Sequence, residues 1–267
     1  TFLKTQLNAN MDLNLNNKLF LVPGATSGFG HSILKQLLEE GAKVIGIART
    51  PEKIDELENQ YPKNLETICG DISKSETIQQ VFNKVNGRNL SGVLVNAGGP
   101  PAKSFMETDI NDWDSAYQQL LRWKVEFVHR FLPIFQKQGF GRFVFIESSS
   151  VKQPVENLVL STSLRLAVVG MVKTLSGEHA HEGITFNVMA PSYHDTPAVN
   201  RLFEKKASNL GISFDEAKAQ VADHIPIGKM GSPDDFASLA LWLFSEKASF
   251  VTGQVYALDG GVIKSTL

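Results

Sequence analysis

The chain has 267 residues, of which 42% are hydrophobic and 20% charged, and its formal net charge is −2. That suits one large soluble α/β domain with no dividing linker, and the absence of Lys/Arg clusters excludes the basic footprint of a nucleic-acid or anionic-membrane binder. The single cysteine, Cys69, lies in an apolar run, rules out an internal disulfide framework and fits a reducing, cytoplasmic setting.

No apolar run approaches the roughly 18 residues of a membrane span, and residues 1–10 lack the long apolar core of a signal peptide. Residues 1–17 read as an N-terminal extension in which Met11 is a candidate natural start. Residues 18–267 read as the domain.

The organising stretch is 19–30. Four apolar residues, Leu19 to Val22, predict a buried parallel strand. Gly24, Gly28 and Gly30 follow in GxxxGxG spacing. Ile33, Leu34, Leu37 and Leu38 then supply the apolar stripe of a helix. Strand, glycine turn and helix together open a nucleotide-binding βαβ unit, with the helix N-terminus as an anion site. Gly24 allows the sharp turn, Gly28 a close approach of pyrophosphate, and Gly30 close packing of helix on sheet. Thr26, Ser27 and Phe29 lie in the same turn.

A second strand is predicted over 43–48 and a helix over 52–60. The end of this strand selects the cofactor in such units, a carboxylate for a ribose 2′-hydroxyl and an Arg for a 2′-phosphate. Ala48 followed by Arg49 favours NADP(H), with NAD(H) possible; the alternative for Arg49 is a solvated turn residue. A third strand, 65–69, ends at Gly70, Asp71 and Ile72. Ser73 and Glu76 have capping-box spacing before a helix reaching about residue 86.

A short fourth strand at 93–95 precedes Asn96, Ala97, Gly98, Gly99, Pro100 and Pro101. A long helix then runs past Trp113 to about residue 138. The fifth strand, 143–146, leads into Ser148, Ser149 and Ser150, and a helix at about 160–181 precedes a sixth strand at 184–188. This alternation predicts a Rossmann-type, doubly wound parallel sheet in a single domain. Residues 192–225 interrupt it as a lid insert of short helices, with a capping box at Ser213 and Glu216. Ser232 and Pro233 start another helix, and a last strand at 255–258 ends before Asp259.

From Leu19 to Gly261 the pattern resembles the short-chain dehydrogenase/reductase family, and most closely its 3-oxoacyl-[acyl-carrier-protein] reductase-like members. The matching residues are the three glycines, Asp71, the Asn96-Ala97-Gly98 turn, Ser148, Pro191 with Thr196, Thr252-Gly253-Gln254 and Asp259-Gly260-Gly261. The resemblance implies that Asp71 binds the adenine amino group, Asn96 supports the central strand and Thr196 holds the nicotinamide carboxamide. It also implies a homodimer or homotetramer, for which Phe127, Phe131, Val168 and Met171 are candidate interface or core residues. Asp71 can equally be a loop carboxylate without a ligand, and Asn96 a structural hydrogen-bonder.

Four positions carry the family's usual catalysis, and only Ser148 keeps its residue. The Tyr position falls on Ser161, the Lys position on Arg165 and the relay Asn on Leu120; Pro23 and Ser192 are milder departures. A hydroxyl is a weaker acid than a phenol, and a guanidinium does not pass protons on. Arg165 can still hold a ribose, phosphate or carboxylate as a fixed charge, and Ser161 can orient a carbonyl. Tyr193 and His194 are candidate replacement acids, or else lid-hinge residues that point elsewhere. No metal-ligand spacing and no nucleophile elbow is present.

Two functions follow. One is an oxidoreductase passing hydride between NADP(H) and a small carbonyl or hydroxyl compound through an atypical site. The other is a catalytically silent dinucleotide-binding sensor or structural subunit.

Overall fold

The computed structural model describes residues 11–266, except for the side chains of residues 201, 202, 205 and 206. Strands β1 (Leu19–Pro23), β2 (Lys43–Ala48), β3 (Leu65–Cys69), β4 (Leu90–Val95), β5 (Gly141–Ile146), β6 (Ile184–Pro191) and β7 (Val255–Leu258) form one sheet. It is parallel throughout, in the order β3-β2-β1-β4-β5-β6-β7. The expected doubly wound architecture is present. Strands β1, β4, β5 and β6 are buried at every position, which is why they read as continuous apolar runs rather than alternating ones.

Two apolar layers cover the faces. On one, α3 (Ser75–Val85), α5 (Trp123–Gln138) and α6 (Val159–His179) bury Ile78, Val81, Phe127, Phe131, Val168 and Val172. On the other, α1 (Gly28–Glu39) and α9 (Pro233–Phe244) bury Ile33, Leu34, Leu37, Phe236 and Phe244. Helix α2 (Pro51–Gln60) packs near the β3 edge. Phe127, Phe131 and Val168 are therefore core residues, and Met171 packs partly buried against them. Upstream, Leu15 is 1% exposed and the Asn17 N–H donates to Gly41 O, so this part of the expected extension lies against the domain.

Several local expectations change. Ser73 does not cap α3; the helix starts at Ser75, and the Ser73 N–H and hydroxyl both donate to Asp71 Oδ1, at 3.0 and 2.8 Å. The long helix before β5 is α4 (Ile110–Tyr117), a π-helical turn (Gln118–Arg122) and α5 in series. Cys69 is exposed at the end of β3.

One helical stretch, Val159–Glu182, is long and apolar enough to cross a membrane by length and composition, which a search for unbroken apolar runs misses. One face of it packs on β6 and buries Ser161 and Arg165, and a third of its apolar window is buried, the pattern of a helix laid on a sheet.

Within the lid, α7 (Pro197–Leu210) and α8 (Phe214–Ala222) enclose a small core of Phe203, Ala207 and Ala217, and the Ser213–Glu216 capping box forms. Ser232 caps α9 as expected, accepting from the Asp234 N–H. The C-terminal motif closes the sheet. Thr252 Oγ1 accepts from the Phe186 N–H at 3.1 Å, and Asp259 accepts from the Gly261 and Ile263 N–H groups.

Glycine is required where α1 meets the β1 turn. A Cβ on Gly30 would lie 2.7 Å from Pro23 O and collide with Gly24 O as well. Gly170, in the middle of α6, has nothing within 4 Å of the same position. Gly30→Ala is expected to lower unfolding stability by about 2 kcal/mol, and Gly170→Ala to raise it by roughly 0.5 kcal/mol, in denaturant titrations.

Candidate functional site

The strand order reverses between β1 and β4, so their carboxyl ends open a crevice where ligands bind in open α/β sheets. Gly24 (φ +72°) and Gly28 (φ +55°) adopt left-handed backbone at its floor. Helix α1 begins there with no side-chain cap from Ser27 and no acid in its first turn, whereas Asp109, Ser213 and Ser232 cap α4, α8 and α9. The leading N–H groups of α1 therefore lack a side-chain acceptor, which is the condition for binding a phosphate. Thr26, Gly28 and Phe29 are half-buried and Ser27 is exposed.

The other residues expected at the cofactor lie on the loops and strand ends around this floor. Arg49 is exposed just past the buried Ala48. Asp71 is half-buried and its Oδ1 is engaged by Ser73, while Ile72 is buried. Asn96 Nδ2 donates to Pro23 O at 3.5 Å and thus bridges the β1 and β4 turns; Ala97 and the exposed Gly98 follow it. Pro191 ends β6 buried. The next residue, Ser192, has a buried Oγ without a partner among the described residues.

Thr196 caps α7, and its Cβ would stand 3.7 Å from a Cβ at Gly28, so the lid begins directly over the glycine turn. A donor-bearing helix end, an orphaned hydroxyl and a small-residue approach fit a dinucleotide.

The catalytic-position residues converge beside the crevice in a cluster of charges. Ser148 caps a 3-10 turn (Ser149–Val151), its Oγ accepting from the Ser150 N–H at 3.2 Å. On α6, Arg165 Nε donates to Ser161 Oγ at 3.0 Å, one helical turn away. Its NH1 donates to Glu147 Oε2 at 2.9 Å and to Ile146 O at 3.5 Å. Its NH2 faces Gly99, 3.1 Å from where a Cβ there would lie. Across the carboxylate, Lys124 Nζ donates to Glu147 Oε1.

Side-chain exposure is 1% for Lys124, 0% for Glu147 and 9% for Arg165. Burial pushes the Lys124 ammonium down to about 8; Glu147 opposes that shift and Arg165 adds to it. Leu120, at the relay position, is fully buried in the π-helical turn.

His194 and Tyr193 stand apart from this cluster. His194 is 4% exposed, and its ring packs at 5.1 Å from Phe29 and 5.5 Å from Phe236. Gly231 presses on it, since a Cβ there would meet Cδ2 at 2.5 Å. Burial lowers its pKa, against a weaker opposing hydrogen bond to Ser192 O and the Asp235 charge. Tyr193 is 39% exposed. Next to them Asp195 is tied to Lys218 at 2.6 Å, anchoring the lid.

Sequence reasoning missed Lys124 and Glu147. Their signal was present: Lys124 falls on the apolar stripe of Leu120, Phe127 and Phe131, and Glu147 ends a fully buried strand. A charge on each of two buried faces, with Arg165 on a third, is the pattern of a buried ionic cluster.

Among known proteins, a family profile described as enoyl-(acyl carrier protein) reductase matches residues 24–263. The chain is 26% identical to the NADPH-dependent reductase BacG of Bacillus subtilis, over 94% of this chain and all of that one. It is 28% identical to the 3-oxoacyl-[acyl-carrier-protein] reductase FabG of Thermotoga maritima, with the same coverage. Among solved structures it superimposes on YwfH, an NADPH-dependent reductase involved in bacilysin biosynthesis, with a TM-score of 0.87 and 26% identity over 94% of this chain and 100% of that one. The profile spans the glycine turn, the Asn96 turn and the lid, and with these relatives it shows that the chain belongs to the short-chain dehydrogenase/reductase family.

Proposed function

We propose that this protein is an NADP(H)-dependent oxidoreductase for small carbonyl or hydroxyl compounds, working without a tyrosine acid. The observation that carries the reading is the uncapped N-terminus of α1 behind Gly24, Gly28 and Gly30, with Arg165 and Ser161 beside the same crevice. The NADPH-dependent relatives support the cofactor. So does Arg49, exposed where a 2′-phosphate would need a cation and where Ala48 offers no repelling carboxylate. Homo-oligomerisation and a cytoplasmic setting belong to the same proposal.

A dinucleotide held at the α1 end would supply hydride chemistry: in the reducing direction the substrate carbon would gain a hydride and its oxygen a proton. The chain's own part is to hold that oxygen. Because Ser161 Oγ accepts from Arg165 Nε, its own hydrogen is turned toward other acceptors, and the substrate oxygen is one within the crevice. The guanidinium behind it is a fixed positive charge that favours the developing oxyanion. Ser148 offers a second hydroxyl. The proton that the oxygen takes comes from water, and Ser161 keeps its own. His194, packed edge-on against two phenyl rings with its pKa lowered by burial, is a packing residue in this scheme.

Nicotinamide fluorescence titrations are expected to give NADPH binding that Arg49→Ala weakens about tenfold, with NADH binding little changed. Absence of binding by the folded protein would overturn the cofactor reading. Ser161→Ala is expected to lower kcat about a hundredfold in carbonyl reduction. If the isolated protein instead turns over no carbonyl compound while binding NADPH, the buried Leu120 and the missing phenol favour the silent sensor or subunit.

His194→Phe is expected to keep turnover. The wild type should lose stability as pH falls below about 6.5, because the unfolded imidazole takes a proton that the folded one resists; the variant should lack that component in thermal melts at stepped pH.

A further inference from the structure

Inside the crevice wall, two cations face one carboxylate. Glu147 is the shared anion, Lys124 and Arg165 are the cations, and they are the charged groups that face one another from α5, the end of β5 and α6. The trio therefore carries a net positive charge while Lys124 is protonated.

The burial of the three is unequal. Lys124 and Glu147 are sealed, whereas Arg165 keeps a small exposed fraction and turns NH2 toward Gly99 in the loop after β4. The uncompensated charge is therefore presented to the crevice through one guanidinium edge. That edge belongs to the same group whose Nε donates to Ser161 Oγ. An acceptor on NH2 and an oxygen on the Ser161 hydroxyl would sit side by side, and guanidinium is the side chain best matched to a planar carboxylate.

We infer that Arg165, braced by Glu147 and charged in excess by Lys124, is a carboxylate subsite, and that the substrates of this protein are short oxo acids with an ionised carboxylate beside the reacting carbonyl. The inference rests on the proposed oxidoreductase reading for the identity of the crevice, but the subsite itself is a property of the protein alone. Lys124 is the selectivity element. It touches no ligand and acts by keeping the cluster positive, a role that a neutral residue of its size does not fill. A carboxylate bound at NH2 also explains why an Arg stands at this position: its five N–H donors in a fixed fork serve Ser161, Glu147, Ile146 O and a further acceptor at once, one more than the three donors of an ammonium allow.

The test uses oxamate, a non-reactive analogue of a 2-oxo acid, against its neutral counterpart oxamide. Each is titrated calorimetrically into the protein saturated with NADPH, and again into the protein alone. Oxamate is expected to bind at least about tenfold more tightly than oxamide, the scale of one charge at partly screened distance. Its affinity is expected to fall about tenfold as pH rises from about 7 to about 9.5, as the buried ammonium titrates. Lys124→Met, apolar and of similar length, is expected to bind oxamate about tenfold more weakly at pH 7 and to lose the pH dependence, with NADPH affinity retained.

Equal binding of oxamate and oxamide, or oxamate binding independent of both pH and Lys124, would overturn the inference. So would a Lys124→Met variant that loses NADPH rather than oxamate, because Arg165 would then serve the cofactor. Should Lys124→Met fail to fold, the oxamide comparison and the wild-type pH series decide. Failure of NADPH to bind would count against the oxidoreductase reading alone, since the oxamate titration of the free protein still tests the subsite.

Discussion

The Glu147 carboxylate has no solvent-exposed side-chain surface and holds a cation on each oxygen. Desolvating such a group is expensive, and the attraction returned inside a protein offsets it only where the partners are fixed and hydrogen-bonded. Both conditions are met, because Lys124 and Arg165 project from helices packed on the same sheet face that ends in Glu147. The Glu147 N–H also donates to Met189 O at 2.9 Å, tying the carboxylate's backbone to β6. The geometry of Arg165, and through it of the Ser161 hydroxyl, depends on that carboxylate. Removing Glu147 would leave two buried cations uncompensated, a loss of about 3–5 kcal/mol where such pairs have been broken.

Around that anchor lies the framework of the family. The glycine turn, the uncapped α1 end and the Asn96 bridge hold a crevice at the switch point of the sheet. Phe29, His194 and Phe236 stack across three elements, so the glycine turn, the lid hinge and α9 are fixed as one unit. A titratable imidazole serves there as an aromatic wedge. Ser161 and Arg165 sit in a hydrogen-bonded arrangement that includes Glu147 and Lys124.

Much of this was legible in the sequence, for physical reasons that also mark where legibility ends. Strands β1 and β2 are found within a residue of their expected limits because strands buried on two faces read as near-continuous apolar runs, whereas β4, β5 and β6 run two or three residues beyond theirs, through Leu90 to Gly92, Gly141 and Arg142, and Met189 to Pro191. Ser213 and Ser232 were readable as caps because the competing acceptors are local. Ser73 was not, because Asp71, two residues upstream, captures its hydroxyl before the helix begins. The π-helical turn has no local signal distinguishing it from the α-helix on either side.

Lys124 and Glu147 were passed over because a charged residue on an apolar stripe is ordinarily solvated. Its burial is set by partners 23 and 18 positions away along the chain, which only the folded sheet brings together.

The most direct test of this account is a crystal structure of the protein with NADPH and oxamate. The account predicts the dinucleotide phosphates at the N-terminus of α1, the oxamate carboxylate within hydrogen-bond distance of Arg165 NH2, and its amide oxygen on the Ser161 hydroxyl. Oxamate bound elsewhere, or an Arg165 that has left Glu147 to contact the cofactor, would contradict it.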